Sequence, residues 1–200
     1  MSAPNVFQIM KSNAVLWYAP FGEAFPDETA IAAGAAWGGN WARLGATKEP
    51  LTCLYEDERS DVNVEEYLAA LHRFKTSEKL SLETVLAELD ADYVALMTGG
   101  TVSATPAAAG QKAYDSLPIG NVAVLPEYAF GFEGIHTNSG GVSLTLRIFI
   151  YRANAKLNGE MTFSKREDDY TGVPILIEAL SDTATPGRLF VFEKVTGPAA

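Results

Sequence analysis

The sequence predicts a mainly β protein: an antiparallel β-sandwich or barrel with one short flanking helix and long arms and loops. Three observations predict it. Val142 to Tyr151 alternates without interruption, Val142, Leu144, Leu146, Ile148 and Ile150 on one face and Ser143, Thr145, Arg147, Phe149 and Tyr151 on the other. Glycine and proline punctuate the chain between further short β-branched and aromatic runs. Nothing between successive runs is long and periodic enough to supply repeated helical crossovers, so neighbouring strands pair antiparallel.

In chain order, Ala14 to Tyr18 opens as a strand and gives way to a Pro-, Ala- and Gly-rich arm, Pro20 to Asn40, which closes on Trp41-Ala42-Arg43-Leu44-Gly45. Leu51 to Glu56 reads as a strand, and Asp61 to Glu65 as a half-buried strand or an edge whose charges discourage stray pairing. From Ser81 to Met97 the apolar residues fit both periods. A strand to about Ala87 followed by a short helix from Asp90, whose carboxylate can cap the first turn, is favoured over one continuous helix. Thr98 to Leu117 is low in complexity and cannot build a core, so it is an irregular surface excursion. Ile119 to Leu125, broken by Gly120, and Tyr128 to Phe132 are strand candidates. The latter meets the Val142 run as a hairpin announced by Ser139-Gly140-Gly141. Gly172 to Leu180, with Pro174 marking a strand start or sheet edge, and Arg188 to Glu193 complete the set.

Two hundred residues suit a single domain, and 48% hydrophobic residues are ample for a core. The start lacks the charged and apolar regions of a signal peptide and no run is long enough to cross a bilayer, so a soluble protein kept in a cytoplasm-like setting is expected. A net charge of −10 argues against gripping nucleic acid by its phosphates, which needs a basic face, although an acidic wall can repel DNA. The lone cysteine, Cys53, rules out an intrachain disulfide and reads as a buried strand thiol.

No catalytic constellation emerges. Phosphate-binding loops, dinucleotide fingerprints and paired metal-binding histidines are missing, and the two histidines, His72 and His136, are far apart. Acidic pairs are plentiful (Glu56-Asp57-Glu58, Glu65-Glu66, Asp90 with Asp92, Glu167-Asp168-Asp169), but they sit in charge-dense segments that suit solvated carboxylates, not a tuned acid and base. Glu167 to Asp169 lacks the alternating ligands and turning glycine of a calcium loop. The expectation is a protein that is not an enzyme and uses no metal or cofactor.

Aromatics crowd the start of the chain. Trp17 and Trp41 read as core anchors; Phe21, Phe25 and Trp37 lie on an arm with no regular element, which suits anchors for a neighbour's pocket. The same reasoning covers Tyr67, Leu68, Leu71 and Phe74, inserted between two strand candidates. On this view removal of Gly22 to Gly39 leaves the subunit folded.

These pieces, in this order, resemble the major tail tube proteins of long-tailed bacteriophages. They are Ala19-Pro20-Phe21-Gly22 through Phe25-Pro26, Trp41-Ala42-Arg43-Leu44-Gly45, Asp61 to Leu68, Arg73-Phe74-Lys75-Thr76, and Leu80 to Gly99 around Leu86-Ala87-Glu88-Leu89. Gly172 to Leu180 is similar to a late strand of that family, while Glu49-Pro50 stands where a glycine is expected and residues 101–140 match nothing firmly. The resemblance implies one tail-tube-like domain over 1–200, with an inter-subunit arm at 20–40, a loop at 58–76 and the excursion at 98–117. It implies hexameric rings stacked into the tube that carries DNA outward, a place in the virion tail after assembly in the host cytoplasm, and partners limited to itself and other tail proteins at the tube ends. DNA would pass without specific binding, along a lumen whose acids could include Glu56, Glu58, Glu78 and Glu83. Two other readings compete: a β-sandwich module binding carbohydrate or protein through a Trp17, Trp37 and Trp41 platform, and a hydrolase built on the acidic pairs, for which Asp168 and Asp169 are the residues to replace.

Overall fold

The computed structural model describes residues 15–62, 65, 69–120, 122–138, 141–161 and 172–197. Ten strands and one helix follow in the order β1 (Val15–Pro20), β2 (Ala42–Arg43), β3 (Thr52–Val62), β4 (His72–Leu86), α1 (Ala91–Thr98), β5 (Ser103–Thr105), β6 (Tyr114–Ser116), β7 (Tyr128–Thr137), β8 (Ser143–Leu157), β9 (Val173–Ala179) and β10 (Phe190–Lys194). All the pairings are antiparallel, as the short connections require. The main sheet runs β2-β1-β7-β8-β9-β4-β3, with β10 also beside β8.

β8 organises this sheet. One edge pairs with β7, and the other is shared: Leu146 to Ile150 pair with β10, while Ala153 to Leu157 pair with β9. The change falls at a register shift opposite Tyr128 and Phe130, where one extra residue turns the strand and exchanges its faces. Before it, Ile150 points into the main core; after it, Ala153 and Ala155 do. The main core joins Leu16 of β1 to Leu80, Leu82 and Leu86 of β4, near opposite ends of the strand order, so the sheet curls around it. Residues 44–48 run between the two ends. Leu44 N–H donates to the Leu16 carbonyl (2.9 Å), Lys48 N–H donates to that of Val85 (2.7 Å), and Thr47 bridges Leu86. The result is a sandwich-like curl, not a closed barrel.

The strand-then-helix reading of 81–97 holds. β4 ends at Leu86, and Asp90 takes an extended conformation whose carboxylate accepts the Asp92 N–H (2.9 Å). Gly99 closes the helix in the left-handed region at φ 74°, and Val94, Leu96 and Met97 lie against the core. Asp90→Ala should cost about 0.5–2 kcal/mol in a denaturant titration, and Asp90→Asn much less.

Other expectations are corrected. The runs at 51–56 and 61–65 begin and end one hairpin strand, β3, with a bulge between Glu58 and Arg59; of the second run, Asn63 and Val64 lie outside the described residues. The described residues of 119–125, all but Asn121, form no strand: Gly120 sits at φ 117°, and Ile119 and Val124 are exposed. The excursion at 98–117 is not wholly irregular, since β5 and β6 pair as a small separate ribbon.

The largest correction concerns the arm. Residues 21–41 lie across the odd-numbered face of β1, β7 and the first half of β8 and seal a second core there. Trp37, 3% exposed, stacks on Trp17 (5.0 Å between ring centroids) and meets Phe149 edge-on (5.2 Å), while Phe25 stacks on Phe149 (4.6 Å). A Cβ on Gly131 would lie 2.6 Å from the Trp37 ring, so the bare backbone there is what lets the indole lie down. Turn chemistry shapes the arm itself. Asp27 accepts the Thr29 N–H (2.8 Å) and hydroxyl (2.7 Å), Glu23 receives the backbone and side-chain amides of Asn40 (3.1 and 2.8 Å), and Trp41 Nε1 donates to the Ala24 carbonyl (2.8 Å). The arm draws its order from its own subunit.

Candidate assembly surfaces

Beneath the arm lies an arginine side chain that is fully buried. Register places Glu133 (β7), Arg147 (β8) and Glu193 (β10) side by side on the arm-covered face. Arg147 is 0% exposed; its Nε donates to Glu133 Oε2 (2.7 Å), Nη2 stands 2.7 Å from the same oxygen as an ion pair, and Nη2 donates to the Ile31 carbonyl (3.3 Å). Nη1 lies 2.8 Å from Glu28 Oε2 of the arm, close enough for an ion pair although not aligned as a hydrogen bond. The guanidinium sits over the Trp37 ring (5.4 Å), and Glu133 accepts further bonds from Gly34 N–H (2.5 Å) and Trp37 Nε1 (3.3 Å). Burial, with Glu28 nearby, raises the Glu193 carboxyl above its usual range. Glu28, Glu133 and Arg147 thus clasp the arm to the sheet, and alternation alone singled out none of them. A signal existed: the expected pairing of the Tyr128 and Val142 runs as a hairpin, which the register of β7 and β8 realises with Glu133 opposite Arg147.

The β3–β4 ribbon is the opposite case, exposed along most of its length. Leu80, Leu82, Thr84 and Leu86 point into the protein. The outward face carries Leu54, Glu56, Glu58, Lys79, Glu83 and, through β9, Glu178. Lys156 (2.7 Å) and Lys79 (3.6 Å) flank Glu178, and the Lys156 contact holds its carboxyl below the usual range. With four acids against two lysines, this face of β3, β4, β9 and the second half of β8 is negative. The register separates Glu78 from Glu56, Glu58 and Glu83: it shares the other face with Tyr55 and Asp57. There Lys75 donates to it (2.9 Å), as does the Tyr55 hydroxyl (2.8 Å), and both lower its pKa.

The residues proposed as inter-subunit anchors divide. Phe21 (37% exposed), Leu71 (61%) and Phe74 (47%) face solvent. Trp37 and Phe25 pack inside the second core, so the reason for assigning them to a neighbour is gone. Tyr67 and Leu68 lie outside the described residues, as do Asp168 and Asp169. Trp17, Trp37 and Trp41 are all buried and present no flat platform for a sugar. Cys53 is exposed, not buried, because β3 is the last strand of the sheet among the described residues; neighbouring atoms still desolvate its sulfur and push its thiol pKa up. His72 lies at the open start of β4, whereas His136 is buried with Nε2 2.9 Å from the Val195 carbonyl oxygen. Among the described residues no group of three His, Cys, Asp or Glu side chains is placed to hold a metal, and no helix is long and apolar enough to cross a membrane.

What the arrangement offers is surface: an acidic sheet face, a projecting ribbon, and apolar side chains left in solvent. No curated protein matches the chain. A family model described as "Phage tail tube protein" matches residues 1–199, nearly the whole sequence, in accord with the order of pieces that suggested it. This protein belongs to the phage tail tube protein family.

Proposed function

We propose that copies of this subunit close into six-membered rings that stack into a hollow tail tube, the conduit through which DNA leaves the particle. The acidic face of β3, β4, β9 and the second half of β8 turns toward the channel, with Glu56, Glu58 and Glu83 in its wall. The observation that carries this reading is that face. It is a continuous antiparallel surface with acids in excess in a chain of net charge −10, and like charge lets a polyanion slide by without adhering. Leu71 and Phe74, toward the free end of the ribbon, touch adjacent subunits, and other tail proteins cap the two ends of the tube. Assembly takes place in the host cytoplasm and involves no catalysis.

Negative-stain electron microscopy of the purified full chain tests the proposal. The expected images are hollow tubes or six-fold rings. A preparation that stays monomeric over a wide range of concentration would overturn it.

A further inference from the structure

We propose that the uncharged surface formed by residues 116–120 and 122–126, with Phe21 at its exit, is a contact surface between copies of this chain; this rests on the self-assembly reading above. No ionisable side chain occurs from Ser116 to Pro126, yet the loop exposes Ile119 (63%), Val122 (38%), Val124 (83%) and Leu125 (44%). A run of large apolar side chains in water is unusual for a surface with no partner. The chain as a whole carries −10, so two copies repel except where they meet on neutral ground. Leu54, Tyr55 and Phe74, also exposed, stand instead on the charged ribbon among acids.

The loop is also held in shape. Gly99 closes α1 with φ 74°, and a Cβ there would lie 2.9 Å from Val122 Cγ1 and 3.1 Å from Pro126 Cδ. A Cβ on Gly100 would lie 2.6 Å from Leu117 Cδ1. Two glycines therefore let the loop settle against the helix terminus, while Leu117 packs on the main core. At the far end the Pro126 carbonyl accepts Asn154 Nδ2 (2.7 Å), and the Phe21 N–H donates to the Glu127 carbonyl (3.4 Å). The nearest acid on that side, Glu127, is neutralised by the two-point grip of Arg152 (2.7 and 2.5 Å), whose guanidinium covers the Phe21 ring (5.6 Å). Leu117, Val122 and Pro126, already seated, have less conformational freedom to lose on docking, which leaves more of the apolar burial as net affinity.

The test compares the full chain with Ile119→Asp/Val124→Asp by sedimentation velocity, electron microscopy and thermal melting, with Val124→Ile as the conservative control. The expected result is a rise of at least about tenfold in the concentration needed to assemble, a monomer melt within about 2 °C of the parent, and normal assembly of the control. If the parent assembles and the double variant assembles equally well, this inference fails while the tube reading stands. If the variant monomer melts more than about 8 °C lower, the loop is covered within its own subunit and the inference also fails. If the parent itself never assembles, the tube reading falls and this inference falls with it.

Discussion

Arg147→Ala is expected to lower the free energy of unfolding by about 3–5 kcal/mol, because it leaves buried carboxylate charge with no counter-ion. Glu133, 3% exposed, would keep only the Gly34 N–H and Trp37 Nε1, and Glu28 would lose the cation it leans on. Urea denaturation measures the loss; a change under about 1 kcal/mol would mean that water reaches the seam and the ions are not sealed. Arg147→Met with Glu133→Gln should recover much of the loss, since taking away both charges is far less costly than stranding one. The four corners of that mutant cycle give the coupling between the two side chains directly.

Trp37→Ala should cost a similar amount, about 3–5 kcal/mol, and for an independent reason. The indole fills the space between Trp17 and Phe149 and lies on the bare backbone of Gly131, so its removal opens a cavity that the rigid strands below cannot collapse into. Phe21→Ala, on an exposed ring at the start of the same arm, should stay within about 0.5 kcal/mol of the parent. That contrast, read from parallel denaturation curves, separates the part of the arm that belongs to the subunit from the part that does not. Against total stabilities of about 5–15 kcal/mol, either large loss approaches unfolding. Excision of Gly22 to Gly39 removes Glu28, Phe25 and Trp37 together and should abolish cooperative folding, contrary to the sequence-based expectation that this segment is dispensable to the monomer.

That contrary expectation has a physical origin. Periodicity is a local signal, and it served well where the deciding partners are local. Asp90 announces its own helix, and the alternation through Val142 to Tyr151 with glycines before it announces the hairpin of β7 and β8. The arm is fixed by partners about a hundred positions away, Gly34 with Glu133 and Glu28 with Arg147, and no window on the sequence spans them. The face of β8 bearing Thr145 and Arg147 looked mixed in character, and only the arm's arrival makes it a second core. The missing strand at 119–125 is the reverse error: its composition suits a strand, but Gly120 breaks its line and the backbone there meets no partner edge. Of the four acids named from the sequence, Glu56, Glu58 and Glu83 share a face. Grouping Glu78 with them overlooks the alternation along β4, which already puts it on the Leu80 side, opposite Glu83; the pairing register is needed only to bring Glu56 and Glu58 beside Glu83.

The divided edge of β8 has a consequence for how the subunit fails. A single continuous backbone carries both β10, beside the arm's seat, and β9, beside the charged ribbon, with only a register shift between them. Heat or tension that loosens one half must pull on the same strand that holds the other. The two halves should therefore give way in one step, so a particle under load would keep each unit whole or lose it entirely.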